Sequence, residues 1–243
     1  MLTKYTHIIF SDGAALGNPG PGGWGTVVIL SKKVVIELGG AEKHTTNNRM
    51  EIMALLEGLR RIGGEKGDIL CCTDSQYVIN AVTKWIHGWK KNNWMTSTKT
   101  PALHRELFEE IDQRISDHKK HGVIHFQYVP GHVGVAGNER CDSIATAFAR
   151  KEEPELFNGS LADYAVDVLN IGIDPEAASK KSSTKKRTGP AYSYLSLVDG
   201  KAKRHKTWAE CEDRVKGKSG VKYKKAMSPS EEKEILQTWG VKI

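Results

Sequence analysis

Residues 7–30, HIIFSDGAALGNPGPGGWGTVVIL, constrain this chain more than any other stretch. A short apolar run delivers one carboxylate, Asp12, to a segment dense in Gly and Pro, and apolar residues resume from Trp24 to Leu30. Gly and Pro permit tight turns and left-handed backbone, so the pattern predicts a hairpin with Asp12 at the end of its first strand. An acid at a strand end is more often a solvated turn residue than a ligand, so Asp12 acquires meaning only through partners elsewhere.

Those partners are sought along the chain. Residues 34–40 continue as a third strand of an antiparallel meander. Thr45, Thr46, Asn47 and Asn48 supply helix-capping side chains, and Met50, Met53, Leu56 and Leu59 then recur at helical spacing up to Gly63. This predicts a buried helix with Glu51 in its first turn, where a carboxylate also suits the helix dipole. Residues 68–73 read as a strand ending in Asp74, followed by a short helix over 75–82. Sites in α/β sheets gather beyond the carboxyl ends of strands, so Asp12 and Asp74 become neighbours if their strands are parallel and adjacent.

The stretch KWIHGWKKNNW interleaves Trp85, Trp89 and Trp94 with Lys84, Lys90 and Lys91. Half-buried packing accounts for the rings alone, while the lysines beside them suit a phosphate backbone. Residues 101–119 form an amphipathic scaffold helix, and residues 123–129 another strand. That strand runs into a Gly-flanked loop containing His132, which is suited to moving protons near neutral pH, and a helix from about Asn138 carries Asp142.

With 243 residues the chain has room for one well-buried domain and a small second one. No run reaches the length of a membrane span and no secretory pattern opens the sequence, so a cytoplasmic location is expected. Cys71, Cys72, Cys141 and Cys211 lack CxxC spacing and read as reduced structural thiols. Charge is uneven. Residues 180–243 hold seventeen Lys and Arg against seven Asp and Glu, a net +10, so the +7 of the whole leaves −3 for the rest. A basic segment of this kind suits a polyanion or a solvated linker.

Five segments in this order and spacing, SDGAALGNPGPGGWG, TTNNRMEIMALLEGL, TDSQYV, WIHGWKKNNW and PGHVGVAGNERCDSIA, resemble ribonuclease H of type 1 over residues 5–151. The resemblance implies an α/β fold, a five-stranded mixed sheet flanked by helices, with a catalytic domain over 1–153. It also implies hydrolysis of the RNA strand of RNA/DNA hybrids, leaving 5′-phosphate and 3′-hydroxyl ends. Asp12, Glu51, Asp74 and Asp142 match the family's metal-binding carboxylates, and oxygen-only ligation suits two Mg2+ ions, with Mn2+ as a substitute. His132 matches a loop histidine used for proton transfer or product release.

By the same resemblance Asn18, Asn48 and Gln76 contact the RNA strand, where the 2′-hydroxyl marks RNA. Thr46 belongs to a pocket for a DNA phosphate, with Asn47 beside it, and Trp85 and Trp89 line the channel for the DNA strand. The chain departs from the family at Ala14-Ala15 and at His44 and His104, positions that affect metal-site tuning and phosphate affinity. A non-cleaving binding protein on the same fold is the competing class.

Residues 154–190 read as a linker, with a short helix over 161–169 and a Ser- and Lys-rich end. Residues 191–243 then form a ββαβα unit. Asp199-Gly200 is a hairpin turn, Thr207 and Glu210 a capping box, and Ser228-Pro229 opens a last helix. KTWAECEDRVKGKSGVKYKK resembles the hybrid-binding domain of eukaryotic type 1 ribonucleases H, which implies that Trp208 and Tyr223 pack on duplex sugars while Lys224 and Lys225 hold phosphates. A core Trp and an ordinary basic strand are the alternative for these residues. The expected partners are an RNA/DNA hybrid or double-stranded RNA; no protein partner is implied.

Overall fold

The computed structural model describes residues 4–131, 134–171, 191–218 and 220–241. The chain divides into two compact units, Met1–Lys181 and Ser182–Ile243.

The first unit is built on a mixed sheet. A meander of β1 (His7–Ala15), β2 (Gly20–Leu30) and β3 (Val34–Thr45) is extended by β4 (Ile69–Thr73) and β5 (Ile124–Tyr128), both parallel to β1. The resemblance implied five strands. Among the described residues the sheet has six, in the order β5-β4-β1-β2-β3-β6, because β6 (Asn158–Ser160) pairs antiparallel with the edge strand β3.

Strand alternation divides the core. Ile9 and Val28 face one side, where they pack with Ile52, Leu55, Leu56 and Leu59 of α1 (Asn47–Ile62) and Leu107, Phe108 and Ile111 of α4 (Arg105–His118). Ile8, Phe10, Val27, Ile29 and Val35 face the other. That face is covered by Cys141 of α5 (Ala136–Ala149) and by Phe157, Leu161, Tyr164, Val166, Val168 and Ile171. Connecting chain was expected there, with a helix over 161–169; the only helical turn in the described part is a 3-10 turn, Leu161–Asp163. On the same side as α1 and α4, α2 (Gln76–Asn80) passes through a π-helical turn, Ala81–Trp85, into α3 (Ile86–Lys91), with Val78, Ala81, Val82 and Ile86 in that core.

Most of the Gly-rich stretch is strand, with only residues 16–19 left as the turn. β1 continues past Asp12, with Gly13, Ala14 and Ala15 paired to Trp24, Gly23 and Gly22, so Asp12 lies inside the strand and not at its end. The glycines answer to packing. A Cβ on Gly25 would lie 2.3 Å from the Cys141 carbonyl oxygen, so the absence of a side chain lets the backbone of α5 rest on β2.

In the second unit β7 (Ser193–Val198), β8 (Lys201–His205) and β9 (Lys222–Ala226) form an antiparallel sheet in the order β8-β7-β9, with α6 (Trp208–Val215) and α7 (Pro229–Trp239). The turn residues Asp199 and Gly200 both have positive φ, 51° and 72°, as a tight hairpin requires. Thr207 caps the Glu210 amide, whereas the Glu210 carboxylate accepts from the Lys206 amide, one residue before the reciprocal partner of a capping box. Leu195, Ala226 and Ile235 form its core, with Leu236 and Trp239 packed against them.

Candidate active site

Parallel pairing brings the two strand acids together. The β1–β4 register aligns Phe10 with Cys72, so two residues further on Asp12 stands beside Asp74, just past the end of β4. Asp12 pairs with Gly25, the residue on which Cys141 of α5 rests, and the next residue of that helix is Asp142. Glu51 arrives from α1 on the opposite face. The helix starts at Asn47, which places Glu51 in its second turn rather than its first, and a side-chain network fixes it. Glu51 Oε1 accepts from Asn47 Nδ2 at 2.7 Å, and Oε2 accepts from the Ser75 hydroxyl at 2.5 Å. Ser75 in turn caps α2 by accepting from the Val78 amide at 3.2 Å.

Electrostatics record the convergence. Burial pushes the Asp12 carboxyl up to about 8, and the charges of Asp74, Asp142 and Glu51 add to the rise against the opposing hydrogen bond from the Gly13 amide. Burial and Asp74 likewise raise Glu51, against Ser75 and Asn47. Among the described residues no three His, Cys, Asp or Glu side chains form a group ready to hold a metal ion. The donor set still fits a hard divalent cation. It is all oxygen, comes from β1, α1, α5 and the end of β4, and burial together with the neighbouring acids raises the Asp12 carboxyl.

His132 lies outside the described residues. Its neighbour Gly131 touches Asp74, and a Cβ there would sit 2.0 Å from Asp74 Oδ2. Asn18 is exposed and accepts from the Asn47 amide at 3.3 Å, which ties the β1–β2 turn to the start of α1. Thr46 caps that helix through the Arg49 amide at 3.3 Å, and Asn48 and Gln76 are exposed. Arg49 pairs with Glu42 and Glu106, while burial and Arg49 lower the pKa of His104.

The aromatic segment is only partly a surface. Trp89 is half-buried against Phe108, with ring centroids 5.5 Å apart, and Trp94 is buried, whereas Trp85 is 38% exposed. Lys90 is paired to Asp112. In the second unit Trp208 and Tyr223 stand exposed with ring centroids 5.4 Å apart, and Lys224, the next residue of β9, is exposed but alternates to the other face of the sheet, where it pairs with Leu195. Lys225 is part-buried in the same strand.

Ser75, Gly13 and Gly131 were missed in the sequence. Ser75 had a signal, since it precedes a helix and follows an acid, but its bond to Glu51 bridges 24 residues. Tyr194 was missed too; its ring lies 5.9 Å from Trp208 and lengthens the aromatic row.

A family model described as RNase H matches residues 4–150. The chain is 47% identical over 150 residues to a ribonuclease H of Cyanothece sp., which covers 61% of this chain and 92% of the relative. It is 42% identical over 144 residues to a ribonuclease H of Solibacter usitatus, covering 59% and 94%. The crystal structure of LC9-RNase H1, a type 1 RNase H with the type 2 active-site motif, matches at 25% identity and a TM-score of 0.51, over 71% of this chain and 89% of that one. The family model and the relatives agree, and the chain belongs to the RNase H family of enzymes.

Proposed function

We propose that this chain is a divalent-metal-dependent endoribonuclease that hydrolyses the RNA strand of RNA/DNA hybrids, with residues 191–243 as a tethered duplex-binding module. The observation that carries the reading is the convergence of four carboxylates in a chain that matches the RNase H family: Asp12 is aligned with Asp74 by the β1–β4 register, Asp142 follows the Cys141 that rests on Gly25, and Glu51 is held by Asn47 and Ser75. When bound there, Mg2+ or Mn2+, two per site, supplies the charge that activates water and stabilises the departing 3′-oxygen.

The chain's own residues do the rest. Asp12, Glu51, Asp74 and Asp142 hold the cations, with Asn47 and Ser75 orienting Glu51. The scissile phosphate binds beside Asp12, and cleavage leaves a 5′-phosphate on one fragment and a 3′-hydroxyl on the other. His132 is assigned proton transfer or product release. Asn18, Asn48 and Gln76 offer exposed amides to the RNA strand and its 2′-hydroxyls. Thr46 and Asn47 are assigned to the DNA phosphate, and the exposed ring of Trp85, with Trp89 behind it, to the border of the DNA strand.

The module adds affinity without adding chemistry. Trp208 and Tyr223 present adjacent rings to duplex sugars, Lys224 and Lys225 meet phosphates, and tethering raises the local substrate concentration. Four free, buried cysteines agree with a reducing cytoplasm, and among the described residues no helix is long and apolar enough to cross a membrane.

The test incubates the full chain with a labelled RNA/DNA hybrid, double-stranded RNA and double-stranded DNA, in Mg2+ and in a chelator, beside Asp74→Asn. Cleavage confined to the hybrid's RNA strand, abolished by chelation and by the substitution, is the expected result. Binding of hybrid without cleavage by the unaltered chain overturns the enzymatic reading in favour of a binding protein.

A further inference from the structure

Glu37 occupies a position that strand alternation gives to an apolar residue. It lies on β3 two residues after the fully buried Val35 and is itself only 3% exposed. A carboxylate so placed is costly unless every lone pair is met. Here they are met from two directions. Arg140 of α5 donates through Nε to Oε1 and through Nη2 to Oε2, both at 2.7 Å. From beyond residue 150, where the family match ends, the Tyr164 hydroxyl donates to Oε1 at 2.5 Å and the Phe157 amide to Oε2 at 3.0 Å. Arg140 Nη2 also reaches the Glu155 carbonyl at 3.0 Å.

The same segment is built into the first unit in other ways. The Glu37 amide donates to the Phe157 carbonyl at 2.8 Å, and the Leu161 amide to the Lys33 carbonyl at 2.7 Å. Phe157, Tyr164 and the buried Val168 cover apolar residues of the sheet that α5 leaves uncovered. Exposing Val35, Ile29 and Ile8 in their absence is unfavourable in proportion to the area uncovered.

The clamp acts on a helix end that has one other side-chain fastening, the bond that Glu139 Oε1 accepts from the Gly134 amide at 2.8 Å. Val135, at the amino end of α5, offers no capping side chain. Arg140 lies in the second turn, and two residues later comes Asp142, whose charge is felt by Asp12. A helix held at Gly25 and again at Glu37 can neither slide nor rotate without breaking a contact.

We propose that residues 154–171 belong to the catalytic unit, and that Glu37, Arg140 and Tyr164 are positioning residues that set the amino-terminal half of α5, and through it Asp142, for metal binding. The inference rests on the reading of Asp142 as a metal ligand.

The experiment uses the full chain carrying Tyr164→Phe and, separately, Glu37→Gln. Mg2+ affinity is measured by titration calorimetry without substrate, so its outcome stands apart from whether the chain cleaves hybrid; kcat and KM on hybrid and thermal stability are measured beside it. Tyr164→Phe removes one hydroxyl and leaves the ring in place. The expected result is Mg2+ binding weakened about tenfold in both variants. In the same variants kcat falls at limiting Mg2+ and recovers at high Mg2+, while KM stays within about twofold of the unaltered chain. Unchanged Mg2+ affinity and unchanged kcat in both variants, with only the melting temperature lowered, overturns the positioning role.

Discussion

The backbone amide of Glu51 lies where a side chain on Gly13 would have to be: a Cβ there would fall 2.3 Å from the Glu51 nitrogen and 2.5 Å from the Met50 carbonyl carbon. The residue after the strand acid is therefore the contact that lets α1 bring the helix acid to it. The close approach and the carboxylate cluster are one structural fact.

Gly13→Ala should therefore cost more activity than stability. The added methyl meets backbone rather than a flexible side-chain end, so α1 must shift, at about 2 kcal/mol by analogy with other overpacked cores. Denaturant unfolding checks that figure. Hybrid cleavage at a temperature where the variant is fully folded should still be well below that of the unaltered chain.

Asp12→Asn should abolish Mg2+-dependent cleavage and yet raise the melting temperature in chelator. Burial and three neighbouring acids disfavour the Asp12 charge, and the amide keeps the shape while removing the repulsion. A gain of about 1 kcal/mol is the scale expected when a functionally strained site is relieved. Calorimetric scans of both proteins without metal give the comparison.

Glu37 carries a pH dependence of definite sign. Burial alone would raise its carboxyl, but Arg140, Tyr164 and the Phe157 amide outweigh it and hold the group below its ordinary value of 4.5. A carboxyl depressed in the folded state contributes stability that is fully present above its unfolded pKa and is lost as pH falls through the folded one. The unaltered chain should lose stability below about pH 4.5, and the Glu37→Gln variant should show a shallower acid slope there. Melting temperatures from pH 3 to pH 7 check it.

The second unit should separate charge from stacking. Lys224→Ala should lower hybrid affinity and reduce the slope of log affinity against log salt by about 1. Trp208→Ala, which removes an exposed ring lying 5.4 Å from Tyr223, should weaken binding while leaving that slope unchanged. Neither should alter kcat at saturating hybrid. Fluorescence anisotropy at several salt concentrations, with kinetics alongside, distinguishes the two.

Local signals carried the fold a long way. The helix periodicity of α1, the caps Thr46, Thr207 and Ser228, the Asp199-Gly200 turn and the strands around Asp74 are all written in neighbouring residues, because capping, turn chemistry and alternation act over a few positions. Family resemblance added the order of the four acids. Tertiary structure decided what those signals leave open. Glycine reads alike whether it makes a turn or admits a neighbouring backbone, so only the β1–β2 pairing, with α1 and α5 packed on its glycines, shows that strand continues past Asp12. Trp89 reads alike as surface or core until Phe108 is brought against it. Glu37 reads as an ordinary charge in a strand, and its burial depends on Arg140 and Tyr164, 103 and 127 residues away. A short-range pattern cannot encode a partner at that distance, because the free energy of a buried charge is set by the groups the completed fold places around it.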